Sequence, residues 1–154
     1  AGCQACEGFF DYAVSVEDEP VHWYPNFAHR YLFTAWNSDL LAQDELQVLE
    51  MPALASVQMA MSADAEVRKH AQTMHASRAT PVLLRNVPRR LVFDTQPCAA
   101  RPSGLYGQAF ARARTADCVA ATTAIHPPTY TNLYCIEAPP GGSGKYKLSE
   151  IEFI

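Results

Sequence analysis

Several things are scarce in this sequence, and each absence removes a class of protein. No apolar run in the 154 residues approaches the roughly 18 needed to cross a bilayer, so no membrane partner is expected. Positive charge is thin: 12 Lys and Arg against 16 Asp and Glu give a net charge of −4. With no basic face to offset phosphate repulsion, direct nucleic-acid binding is not expected. Local clusters (Arg85, Arg89 and Arg90, then Arg101, Arg112 and Arg114) still leave room for a small anionic ligand. No Gly-x-Ser-x-Gly elbow appears, which withdraws the main support for a Ser-His-Asp hydrolase. Cys3 and Cys6 form a Cys-x-x-Cys pair, but no second close pair completes the four ligands of a zinc site, and no strand precedes it as in redox helices. His70 and His75 stand five apart and do not converge from one helix face. No metal and no cofactor are therefore expected. "GGSGKY" fails as a nucleotide P-loop, because Pro139 stands where the first Gly belongs and Tyr146 where Ser or Thr belongs.

What is present reads as one ordinary globular domain. Hydrophobic residues make up 49% and charged residues 18% of a chain long enough for a single core. The expectation is one domain over residues 1–154, itself a piece of a longer or processed protein. Its setting is expected to be cytoplasmic or nuclear, since the N-terminus has no charged stretch leading into an apolar one. Five cysteines, an odd count without regular spacing, read as reduced thiols.

Along the chain, residues 9–16 (FFDYAVSV) read as a strand, and residues 29–36 (HRYLFTAW) as a strand or the start of a ligand loop. Residues 40–49 carry a partial helical stripe, and residues 53–61 (ALASVQMAM) fit a helix or a buried strand. Ser62 is a credible N-cap for a helix through residues 62–77, with Asp64 and Glu66 in its first turn. Two short strands follow at 81–87 and 89–95, then a Pro/Gly-rich loop at 96–104. Residues 106–125 read as partly helical and "HPPTYT" (126–131) as a break. Residues 132–138 (NLYCIEA) have the continuous apolarity of a buried strand. The alternation favours an α/β or α+β domain with helices on a central sheet.

One stretch raises a sharper question. Residues 26–54 read "NFAHRYLFTAWNSDLLAQDELQVLEMPAL", an apolar segment with Gln43-Asp44-Glu45 at its centre. Adjacent acids repel, and burying either is costly unless it is paired or neutralised. The plain alternative is a solvated loop. The segment resembles the signature region of poly(ADP-ribose) glycohydrolases. That pattern begins Asp-Phe-Ala-Asn, passes a basic-aromatic pair and a Gly-Gly-Gly loop, reaches Gln-Glu-Glu, and ends Pro-Glu-Leu. Here Asn26-Phe27-Ala28-His29, Arg30-Tyr31, Gln43-Asp44-Glu45 and Pro52-Ala53-Leu54 stand at the corresponding places. "LYGQAF" (105–110) looks like the family's Gly-Tyr-x-x-x-aromatic segment, with Tyr106 and Phe110 in phase.

The resemblance implies a macrodomain-like central mixed sheet flanked by helices, and hydrolysis of an ADP-ribosyl glycosidic bond. Its ligand would be ADP-ribose or an ADP-ribosylated protein. Glu45 matches the catalytic acid, with Asp44 and Gln43 orienting it or holding ribose hydroxyls. His29 would meet the distal ribose, Asn26 and Phe27 belong to the first motif, and Tyr106 or Phe110 would stack on adenine or pack the core. Gly141, Gly142, Ser143 and Gly144 would turn backbone N–H groups toward phosphate. The departures are specific. Phe33-Thr34-Ala35 replaces the Gly-Gly-Gly loop, where side chains are expected to obstruct close backbone approach. His29 replaces Asn, and Asp44 replaces the first Glu of the acid pair. A non-catalytic ADP-ribose reader and an interaction module with a decayed pocket stand as alternatives.

Overall fold

The computed structural model of the protein describes residues 21–137. The expectations at Cys3, Cys6, residues 9–16 and Gly141, Gly142, Ser143 and Gly144 lie outside the described residues. The strands are β1 (Tyr24–Ala28), β2 (Met74–His75), β3 (Arg78–Ala79), β4 (Val82–Phe93) and β5 (Thr122–Glu137). The helices are α1 (Gln43–Glu50), α2 (Ala53–Ala63), α3 (Ala65–His70) and α4 (Thr115–Ala120), with a 3-10 turn at Phe110–Arg112. The result is a mixed α/β fold.

Its centre is β5, and the apolar run read from the sequence supplies the buried part of it. Leu133 and Cys135, two residues apart and so on one face of the strand, are both fully buried. β1 pairs parallel to β5, Asn26 opposite Cys135, and β4 pairs antiparallel on the other side, giving the order β1-β5-β4. Ala28, Phe33, Val48, Met51, Leu54 and Met61 pack with that face in the main core. A second cluster gathers Leu41, Leu46, Phe93, Leu105 and Ala121. α1 joins the two, giving Val48 to one and Leu46 to the other.

Several local expectations are corrected. Residues 81–87 and 89–95 are one strand, not two. A register shift between Leu84 and Val87, with Asn86 at φ 56°, bends β4 without ending it. Pro88 is tolerated because β4 is an edge strand of the described sheet. "HPPTYT" does not break the chain either. Between the pairs Arg89↔Thr129 and Leu91↔Ala124 the register shifts, and the residues of β5 bulged there include Pro127 and Pro128, which have no N–H to donate.

Residues 53–61 resolve as helix, consistent with Ala and Met outnumbering the single β-branched Val57. Ser62 is not a cap: it closes α2, where its hydroxyl accepts from Gln58 Nε2 at 3.0 Å. Asp64 caps α3 instead, its Oδ1 accepting from the N–H groups of Glu66 (2.9 Å) and Val67 (3.2 Å). α3 then stops at His70, and residues 74–79 turn back as the β2–β3 hairpin through Ala76 and Ser77, both at positive φ. Residues 29–36 form turns rather than a strand.

Candidate functional site

The acid cluster that stood out in the sequence is the first turn of α1, laid against the end of β1. Gln43 makes the joint. Its Oε1 accepts from the Phe27 N–H at 2.9 Å and its Nε2 donates to the Pro25 carbonyl at 2.6 Å, so both ends of the amide are engaged by backbone. Gln47 repeats the contact one turn on, donating to the same carbonyl at 3.1 Å. Asn26, expected to face the ligand, is fully buried behind the site instead. Its Nδ2 donates to Asp44 Oδ1 at 2.8 Å and to Gln47 Oε1 at 2.9 Å, while its Oδ1 finds no donor among the described residues. The amide is thus oriented by the acceptors on its nitrogen side.

Asp44 and Glu45 are both buried, at 9% and 8% exposure, yet both line an open cleft of about 360 Å³. Phe27, His29, Gln43 and Tyr106 share its walls. Burial pushes the Asp44 carboxyl up to about 6. The Asn26 hydrogen bond and His29 oppose that rise, and the neighbouring Glu45 charge adds to it. Glu45 accepts from the Ala42 N–H through Oε2 at 3.0 Å, which is half of a capping box; Ala42 has no side chain to return the other half. No Lys or Arg pairs with either acid among the described residues.

The rim of the cleft is aromatic. Phe27 is 64% exposed and Tyr106 46%. Tyr106 is held in place by its neighbour: the Gly107 N–H donates to the Leu41 carbonyl at 2.8 Å, and the Leu41 N–H to Gly107 at 3.4 Å. Phe110 faces elsewhere, packing edge-on against Phe93 at 6.1 Å and lining a second, apolar cavity. His29 lies in the cleft with Nδ1 accepting from the Tyr31 N–H at 3.2 Å.

Phe33-Thr34-Ala35 obstructs less than expected. Phe33 takes φ 56°, a backbone state that favours glycine, and turns its ring wholly into the core. Only Thr34 and Ala35 present side chains to the cleft, and the Thr34 hydroxyl donates back to the Tyr31 carbonyl at 2.9 Å.

Three of the six arginines in the clusters noted in the sequence are engaged in ion pairs within the protein. Arg89 pairs with Glu50, Arg101 with Asp94 and Arg114 with Asp117. Two arginines outside those clusters flank the Tyr31 ring: Arg30 and Arg68 lie 5.9 and 4.3 Å from it, and the ring is itself 6.0 Å from the His29 ring. Sequence spacing gives no sign of Arg68, because α3 brings it back from a distant part of the chain.

Among the described residues no group of three or more His, Cys, Asp and Glu is placed to hold a metal ion. Nor is any helix there long and apolar enough to cross a membrane. Comparison of the chain with family models, curated proteins and solved structures gave no match.

Proposed function

We propose that the cleft binds an ADP-ribose-type ligand and hydrolyses its ribosyl glycosidic bond, on a diverged macrodomain-like scaffold. The observation that carries this reading is the pair Asp44 and Glu45, buried side by side at the wall of an open cleft without a basic partner among the described residues. A carboxyl that holds its proton to about pH 6 at the wall of the cleft offers the site an acid near neutrality. We assign the reacting role to Glu45, as the resemblance implies, and make Asp44, oriented by Asn26 and raised by its burial, the proton-holding partner.

In the reaction the C1″–O bond of the ribosyl unit breaks through an oxocarbenium-like state, and the departing oxygen takes a proton from the carboxyl pair. Water then forms the new bond to C1″ and returns a proton to the carboxylate, so the pair ends as it began. His29 and the Gln43-held β1 edge face the ribose, and Tyr106 offers a ring to the base. Arg30 and Arg68, which flank Tyr31 beside His29, would supply the positive charge for a diphosphate. An ADP-ribosylated protein in the cytoplasm or nucleus fits this chemistry, and the free thiols of Cys98, Cys118 and Cys135 fit a reducing compartment.

A second reading, a non-catalytic ADP-ribose reader, is favoured by one contact. The bond from Ala42 N–H to Glu45 Oε2 employs the carboxylate as a helix cap. Two assays separate the readings: calorimetry with ADP-ribose, and release of ADP-ribose from a modified protein. Binding with release supports hydrolysis, and binding without release makes the protein a reader. Absence of both leaves an interaction module with a decayed pocket.

A further inference from the structure

Glu45 lines not one cavity but two. The second holds about 250 Å³ and runs along α1 from Glu45 through Val48 and Leu49. Its walls are apolar, from Leu41, Val48, Leu49 and Phe110, with Ala55 of α2 among them. Trp36 and Leu40, each more than a third exposed, stand at its mouth. The volume is below the roughly 300–1,000 Å³ of pockets that take drug-sized ligands, so it suits one ring system and no more. Leaving an apolar hollow of this kind open to water is unfavourable, and an indole and a phenyl ring in its walls suit a planar guest.

We propose that this second cavity is the leaving-group subsite: the substrate is an ADP-ribosyl conjugate whose departing group carries a single aromatic ring. The inference rests on the glycosidic reading of the first cleft and adds the other side of the bond. The sugar occupies the first cleft beside His29 and the Asp44 carboxyl, the ring occupies the apolar cavity, and the bond between them passes Glu45, the residue common to both. A leaving group consisting only of a further sugar would gain nothing from Leu41, Leu49 and Phe110.

The test compares ADP-ribose with 1″-O-phenyl ADP-ribose, on the Glu45→Gln variant so that neither is turned over. The phenyl glycoside is expected to bind at least tenfold tighter than ADP-ribose. Ala55→Phe, which fills the cavity, should erase that gain while leaving ADP-ribose affinity unchanged. Because Ala55 touches the core, Leu40→Gln at the exposed mouth is the second variant, expected to remove a smaller part of the gain. Equal affinity of the two ligands, or a gain that survives Ala55→Phe and Leu40→Gln, overturns the proposal. If neither nucleotide binds, the glycosidic reading fails, and the leaving-group assignment falls with it. Trp36 fluorescence in a Trp23→Phe background, titrated with phenol, then tells whether the cavity itself takes a ring. Quenching lost in Leu40→Gln retains the ring site, and no quenching removes it as well.

Discussion

At its C-terminal end α1 buries Glu50; at its N-terminal end the same helix buries Asp44 and Glu45. Glu50 is fully provided for. Its Oε2 accepts from Arg89 Nε at 2.9 Å and lies 2.8 Å from Arg89 Nη2, and its Oε1 accepts from the Phe93 N–H at 2.9 Å. Burial pushes its carboxyl upward, and the Phe93 N–H and Arg89 draw it back. Asp44 and Glu45 are no better exposed, yet among the described residues they have an amide and one backbone N–H between them and no guanidinium. The contrast separates two uses of a buried acid. A carboxylate well supplied with donors ties a helix to a sheet, whereas an incompletely satisfied acid at a cleft, as Asp44 is, is the kind that can exchange a proton in the proposed reaction.

The contrast is broken most directly at Glu45. Glu45→Gln keeps the shape and removes proton exchange, so ADP-ribose release should fall by about 10²–10⁴-fold while ADP-ribose affinity changes little. Its Oε1 can still accept from the Ala42 N–H, so the cap survives. Asp44→Asn should cost less, because that group holds the proton without lying at the bond. Turnover by Glu45→Gln equal to wild type would sink the assignment of the reacting acid.

The opposite end should respond in stability and not in chemistry. Arg89→Met leaves Glu50 buried without its charge partner, a loss of about 3–5 kcal/mol by denaturant unfolding. The double variant Glu50→Gln with Arg89→Met should recover part of it, because no charge is then left stranded. A loss below about 1 kcal/mol in the single variant would mean that the two ends of the helix do not differ as argued.

The two ends also differed in how far they could be read from sequence. The acid pair was legible because two adjacent acids in an apolar segment are locally anomalous. The role of Glu50 was not, since its partner Arg89 lies on β4, and a window along the chain cannot see across the sheet. The helix itself showed no clean period for a related reason. Asp44, Glu45, Gln47 and Glu50 are polar residues on buried positions, so the apolar stripe is interrupted where tertiary partners take over. Central β5 was visible from residue 132 onward, where it is buried. Its outer half was lost, because His126-Pro127-Pro128 reads locally as a stop while the bulge opposite β4 absorbs it. Likewise Asn26 belonged to the right segment and faced the wrong way: period-two alternation sends Phe27 out and Asn26 in.

The proton held by Asp44 gives a pH signature. Its folded value, about 6, lies above the ordinary 3.8, so the native state binds more protons than the unfolded chain between those two values. The stabilising contribution is therefore complete below about pH 4 and lost as pH rises through about 6. The difference in pKa corresponds to at most about 3 kcal/mol. Asp44→Asn should match wild type at pH 4 and exceed it by about 1–3 kcal/mol at pH 7.5. Glu50 shifts in the same direction, so the quantity to measure is the difference between wild type and variant, in which Glu50 cancels. A variant less stable than wild type at pH 7.5 would show that Asp44 is charged and satisfied in the fold, as Glu50 is.

The smallest effect, that of Gly107→Ala, lies in the loop that closes the cleft end, where backbone does the work that Arg89 does at the other end. Gly104 and Gly107 both adopt φ near +60°, which disfavours any residue with a Cβ. They differ in surroundings. A Cβ on Gly104 would meet the Thr95 carbonyl oxygen at 2.5 Å, where the Leu105 N–H must also reach that oxygen at 2.9 Å. A Cβ on Gly107 would meet nothing within 4 Å. Gly107→Ala should therefore cost only the left-handed backbone, about 1 kcal/mol. Gly104→Ala adds a backbone clash that no side-chain rotation relieves, for about 2–3 kcal/mol in total. If Tyr106 offers its ring to the ligand, the displaced loop should also weaken ADP-ribose binding several-fold in Gly104→Ala and hardly at all in Gly107→Ala. Unfolding curves with calorimetry on both variants decide it. Equal losses in the two would show that strain at φ is the whole cost and that the loop yields without moving Tyr106.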